Sequence, residues 1–93
     1  MIRSVFIAPK AQKQLKKVPG PILDKLQTWV QAVKVKGLEE VRKIPGYHDE
    51  PLKGERRGQR SIRLSRSYRA IYEIRKDGSI EFVSIEEVTK HEY

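Results

Sequence analysis

The sequence predicts an α+β domain of order β-α-α-β-β-β, with two N-terminal helices packed on one face of a small antiparallel sheet. Three observations lead there. Apolar residues recur at helical spacing between Pro9 and Lys36. From Gln59 to Ile85 they fall instead in short alternating or β-branched runs, broken by Gly and Ser. Two helices ahead of an antiparallel meander bury their apolar stripes together against the sheet. Ninety-three residues make one domain, spanning 1–93, with a single modest core.

Taken in order, Ile2 to Ile7 is rich in β-branched and aromatic residues and reads as a strand. Ala8-Pro9 ends it, and Pro9 suits the first turn of a helix. Ala11, Leu15 and Val18 carry the apolar side of that first helix, which stops at Pro19-Gly20-Pro21. A second helix from Pro21 places Ile22, Leu26, Trp29, Val30 and Val33 on one stripe, so Trp29 is expected in the core. Gly37 caps it, Leu38 to Lys43 adds a short turn, and Ile44-Pro45-Gly46 ends the helical half. An extra short strand is expected near Glu50. In Gln59 to Ser65, Ile62 and Leu64 point one way while Ser61, Arg63 and Ser65 point the other. Tyr68 to Ile74 is the next strand, Arg75-Lys76-Asp77-Gly78 a hairpin turn, and Ser79 to Ile85 the last strand. Glu86 to Tyr93 shows no clear periodicity.

The formal net charge is +8. Such a field attracts nucleic acid or other polyanions. Residues 1–48 hold ten basic and three acidic side chains, whereas residues 77–93 hold five acids against Lys90. That acidic end is either an intramolecular counter-charge or a place for catalytic acids and bases. Between them, Lys53 to Arg69 carries seven basic residues and one acid, Glu55. Arginine, a planar fork of donors charged at any working pH, suits phosphate. Alternation on strands means that these arginines do not share one face. Arg63 and Arg69 are expected in a groove on the sheet face away from the helices, with Arg57, Arg60 and Arg66 at its rim or in solvent. The chain has no cysteine and only two histidines, His48 and His91, so neither a disulfide framework nor a typical zinc site is expected. No cofactor and no metal are expected. No signal peptide or membrane span is read, and the expected location is the cytoplasm.

Three stretches, with the chain end, resemble one family. They are Glu50-Pro51-Leu52-Lys53-Gly54, then Gly58-Gln59-Arg60-Ser61-Ile62-Arg63-Leu64, and Tyr68-Arg69-Ala70-Ile71-Tyr72, followed by His91-Glu92-Tyr93 at the end. In this order they resemble the RelE/ParE superfamily of toxins from bacterial toxin–antitoxin pairs, and most nearly its HigB- and YoeB-like ribonuclease branch. The resemblance implies a RelE-like fold and metal-independent endonuclease action on mRNA, commonly in the A site of the 30S ribosomal subunit. It also implies a cognate antitoxin that neutralises the toxin. Partners are then the antitoxin, mRNA and the ribosome with its rRNA, and no membrane.

The chemistry so implied has three needs. The ribose 2′-hydroxyl attacks the neighbouring phosphate and loses a proton; the phosphate gains negative charge; the 5′-oxygen leaves and takes a proton. By the resemblance, Glu50 matches the base and Arg69 clamps the scissile phosphate. His91 and Tyr93 are the candidates for the proton donor, histidine because it titrates near neutrality. Lys53 and Arg63, with Arg56, Arg57 and Arg60, are assigned to RNA. Without the resemblance, Glu50 is a surface acid in a loop and Arg69 a strand arginine that pairs with Glu73 or another acid. His91-Glu92-Tyr93 departs from the adjacent pair of the family, and Ser61 stands where some relatives carry a catalytic lysine, which favours the glutamate/histidine version. Two other readings stand beside this one: a ParE-like inhibitor of DNA gyrase, and a non-catalytic RNA-binding module.

Overall fold

A computed structural model describes residues 1–90 and has the expected α+β order, with short additions. Strand β1 (Val5–Ile7) leads to helices α1 (Pro9–Leu15), α2 (Gly20–Lys36) and α3 (Leu38–Val41) and a 3-10 turn at Pro45–Tyr47. Strand β2 (Glu50–Pro51), the short strand expected near Glu50, is followed by a second 3-10 turn at Gly54–Arg56. Strands β3 (Gln59–Arg63), β4 (Tyr68–Asp77) and β5 (Ile80–Lys90) complete the sheet, whose spatial order is β1-β5-β4-β3-β2.

Strands β2 to β5 pair antiparallel, as hairpin connections require. Strand β1 departs from the all-antiparallel expectation and runs parallel to β5, Val5 against Val83 and Ile7 against Ile85. No hairpin links β1 to its neighbour; the chain leaves it through the helices, so its direction is free of the hairpin constraint. Strand β5 also runs past Ile85, to Lys90. A bulge explains why this extension lacks a clean period. Ile71 pairs with Glu87 while Tyr72 pairs with Ile85, so Glu86 is an extra residue that breaks the alternation.

The helices bury their stripes where the spacing places them. Ile22, Leu26, Trp29 and Val33 of α2 are buried against Ile62, Ala70, Tyr72, Val83, Ile85 and Val88 of the sheet. Trp29 is fully buried, with its ring 5.3 Å from that of Tyr72. Gly37 closes α2 at φ 86°, and a Cβ there would lie 2.6 Å from Met1 Cγ. That turn lets the Leu38 amide donate to the Ile2 carbonyl at 2.8 Å, tying the helical half to the N-terminal segment. One sheet face is thus filled by helices. No helix of the described residues is long and apolar enough to cross a membrane.

Candidate active site

Strand pairing sorts the charged side chains into rows across the sheet. On the face opposite the helices, Arg63 of β3 lies directly against Arg69 of β4, and Arg69 against Thr89 of β5. The adjacent row runs Glu50, Ser61, Ile71, Glu87 through β2 to β5. Directly opposed residues in such a ladder sit about 5 Å apart, and diagonal neighbours about 7–8 Å, within reach of long side chains. Glu50 is therefore diagonal to Arg63, and Glu87 diagonal to Arg69. Two like charges directly opposite disfavour the pairing. Among the described residues neither arginine makes a hydrogen bond or ion pair. Glu73, the acid that a simple strand pairing offers to Arg69, is taken by Gln59 at 3.0 Å and Arg75 at 3.2 Å. The hydrogen bond from Gln59, with that from Arg75, holds the Glu73 carboxyl below its ordinary value against the effect of burial. What results is an arginine pair that no acid among the described residues engages directly, with a carboxylate diagonal to each arginine.

Glu50 owes its place to its neighbours. His48 adopts a left-handed conformation at φ 45°, and the chain then enters β2 with Asp49 turned inward. Only 1% of the Asp49 side chain is exposed. Its Oδ1 accepts from Arg60 Nε at 2.5 Å, and its Oδ2 accepts from the Tyr72 hydroxyl at 2.5 Å. Arg42 Nε donates to the same tyrosine oxygen at 3.4 Å. Burial, then the Asp49 hydrogen bond, pushes the Tyr72 hydroxyl up to about 12. Burial works to lower the Arg60 guanidinium, but the Asp49 carboxylate outweighs it and raises it. With Asp49 fixed on the helix side, alternation turns Glu50 to the open face, where it is exposed.

The far end of the same row is closed differently. Glu87 Oε1 accepts from Lys10 Nζ of α1 at 3.1 Å, and its Oε2 accepts from the Arg56 guanidinium. Burial alone raises this carboxyl, but the hydrogen bonds from Arg56 and Lys10 outweigh it and hold Glu87 below its ordinary value. Arg56 thus reaches across the row in which Ser61 and Ile71 are buried. Farther along, Arg75 also approaches Glu86 at 3.7 Å. The acidic end of the chain therefore supplies counter-charge within the molecule, one of the two roles its composition suggests.

The sequence-expected residues divide accordingly. Glu50, Arg63 and Arg69 share the open face; Lys53 and Arg57 are exposed on the β2–β3 connection beside it. Arg56 reaches this face as a partner of Glu87. Arg60 is not on this face: it points to the helix side and is engaged by a buried carboxylate. His91 and Tyr93 lie outside the described residues. Asp49 and Glu87, which the sequence reading did not single out, are organising acids of the site. Among the described residues no group of three or more His, Cys, Asp or Glu side chains is placed to hold a metal ion.

Residues 5–88 match the family described as the ParE toxin of type II toxin–antitoxin system, parDE. No curated protein sequence matches the chain. Solved structures share the fold at low identity. The YafQ structure from E. coli strain BL21(DE3) is similar at TM-score 0.73 and 16% identity, covering 96% of this chain and 93% of that one. A YoeB/ParE toxin from Agrobacterium tumefaciens gives TM-score 0.69 and 17% identity over 96% of this chain and 99% of that one. The toxin–antitoxin complex RelBE2 from Mycobacterium tuberculosis gives TM-score 0.60 and 23% identity, over 98% of this chain and 100% of that one.

Proposed function

This chain belongs to the ParE toxin family of type II toxin–antitoxin systems, within the RelE/ParE superfamily, and we propose that it is an endoribonuclease that cleaves mRNA, acting on the ribosome and held in check by a cognate antitoxin. The single observation that carries this reading is the Arg63–Arg69 pair: two guanidinium groups opposed across a ladder, on the sheet face that the helices leave open. Such a pair is unfavourable in the free protein and favourable once a phosphate sits between its forks.

The row geometry supports the roles that the family resemblance implies for Glu50, Arg63 and Arg69. Arg69, with Arg63 beside it, holds the scissile phosphate and meets the charge that builds as the 2′-oxygen attacks. Glu50, diagonal to Arg63 and exposed, takes the 2′-hydroxyl proton. His91 or Tyr93 returns a proton to the departing 5′-oxygen. Lys53 and Arg57 contact flanking phosphates. Each role is filled by a protein side chain and none calls for a metal. The solved complexes of similar toxins with antitoxins, RelBE2 among them, support an antitoxin as the protein partner here. An acidic segment that folds on binding suits the cationic open face.

A second reading, inhibition of DNA gyrase, is favoured by the ParE name of the matching family. One experiment separates the two. Wild type and Glu50→Gln are expressed, and mRNA 5′ ends and gyrase-linked DNA breaks are both mapped. Codon-aligned mRNA cuts that fall by about 10²–10⁴-fold in the variant, without DNA breaks, are the expected result. DNA breaks with intact mRNA, or cuts undiminished in folded Glu50→Gln, would overturn the assignment.

A further inference from the structure

Glu87 is out of place on a surface that binds phosphate. It lies diagonal to Arg69 on the open face, where a free carboxylate repels a polyanion. Yet its side chain is only 13% exposed, and both of its oxygens are occupied, one by Lys10 and one by Arg56. These two cations come from separate parts of the chain, α1 and the 3-10 turn between β2 and β3. Neither is consumed by the contact. The Arg56 side chain keeps 44% exposure and that of Lys10 66%. A guanidinium has five N–H donors and an ammonium three, and Glu87 uses one N–H from each. The triad carries a net positive charge, and the acid within it is turned in.

We propose that Lys10 and Arg56, fixed in place by Glu87, form a second phosphate subsite on the open face. This subsite takes a phosphodiester of single-stranded RNA next to the one held by Arg63 and Arg69. The inference rests on the reading of that face as an RNA site. Glu87 is a positioning residue: it orders Arg56 across β4 and brings α1 into the interface through Lys10. Without it, Arg56 is a long side chain at the end of a three-residue turn that begins at Gly54, and it loses its fixed direction. Glu87 and Glu50 thus stand at the two ends of one row with different tasks.

The test turns on a sign. Coulomb attraction alone predicts that removing an acid from a cationic face tightens RNA binding. Positioning predicts the opposite. The probe is a 2′-O-methylated single-stranded RNA oligonucleotide, which resists attack by the 2′-oxygen, bound to the full chain over a salt series. Glu87→Gln is expected to weaken binding about five- to tenfold, the loss of roughly one charge-assisted contact. The salt slope is expected to become shallower by about 0.7, the value for one phosphate contact on a single strand. In an Arg56→Ala background Glu87→Gln is expected to add little beyond the effect through Lys10. Arg56→Lys keeps the charge but not the fork, and is expected to lose affinity as well, which tests the subsite even if Glu87→Gln does not fold. Unchanged or tighter binding by folded Glu87→Gln, or wild-type affinity in Arg56→Lys, overturns the inference while leaving the RNA reading intact. No binding by the wild type overturns the RNA reading and this inference with it.

Discussion

Arg60 and Arg63 lie three residues apart on one strand and sit in opposite electrostatic settings. Arg60 faces the helices, holds a carboxylate that is 1% exposed, and completes a network with Tyr72 and Arg42. Arg63 faces away from the helices, opposes Arg69, and has no counter-charge among the described residues. Composition does not separate them. Their odd offset of three positions does, because strand side chains alternate with period two. On the closed face, charge is matched and contributes to stability and to the placement of β2. On the open face no acid among the described residues pairs with the two arginines, and the proposed phosphate ligand would supply that charge.

The largest difference between the two faces is expected at Arg69. Arg69→Ala is expected to lower mRNA cleavage by about 10²–10³-fold, as for removal of one donor to a developing anion. Stability is expected to stay within about 0.5 kcal/mol, since the side chain has no partner to orphan. Cleavage assays on programmed ribosomes beside a urea denaturation curve check both halves. If the folded variant still cleaves, the open face is not the catalytic face.

Asp49→Ala gives the converse on the closed face. It leaves Arg60 and Tyr72 without their acceptor, at a cost of about 3 kcal/mol. It also frees β2, which has two residues and depends on that anchor for its register. Activity is expected to fall through Glu50, while the charge of the open face is unchanged. A denaturation midpoint equal to wild type would mean that the network is dispensable and that β2 is held by other contacts.

These two faces differ in how far the sequence reveals them. Alternation around Ile62 is local, so Arg63 is legible as an open-face residue from five letters of sequence. The α2 stripe, with Trp29 in the core, is legible for the same reason. Asp49 is not: its partners lie 11 and 23 residues away, and nothing near it signals burial of a carboxylate. Glu87 is hidden by the bulge, since the extra Glu86 breaks the period that would have placed it on a strand face. The parallel pairing of β1 is likewise a choice of partner made across nearly the whole chain. Local period reads out the faces; the acids that organise the site come from long-range pairing.

Titration of Tyr72 sharpens the closed-face half. An unfolded tyrosine ionises near 10, and the folded Tyr72 hydroxyl is pushed up to about 12. Between those values the unfolded chain has lost a proton that the folded chain keeps, so stability falls as pH rises through the window. Two pKa units correspond to about 3 kcal/mol. Burial also raises Tyr47, but Tyr47 is common to wild type and Tyr72→Phe. The difference in unfolding free energy between those two proteins is therefore expected to shift against the wild type by about 2 kcal/mol from pH 10 to 12, most of that total. A constant difference would show that Tyr72 ionises like an exposed phenol and that the network is open to water.

The smallest effect separates unmatched charge from charge that is merely exposed. If Arg63 and Arg69 repel each other in the free protein, Arg63→Gln removes that repulsion while keeping most of the side chain's length. Stability is expected to rise by about 0.5 kcal/mol, and the gain to shrink as salt is added, since screening reduces repulsion in the wild type as well. The same variant is expected to bind single-stranded RNA more weakly, with a salt slope shallower by about 0.7. Opposite signs for folding and binding from one substitution are what a site built for a ligand produces: the free protein bears a cost that the phosphate relieves. A solvated arginine gives neither change, and a structurally paired one loses stability on substitution. Thermal denaturation at two salt concentrations, set beside one binding titration, therefore assigns Arg63 to one of three classes.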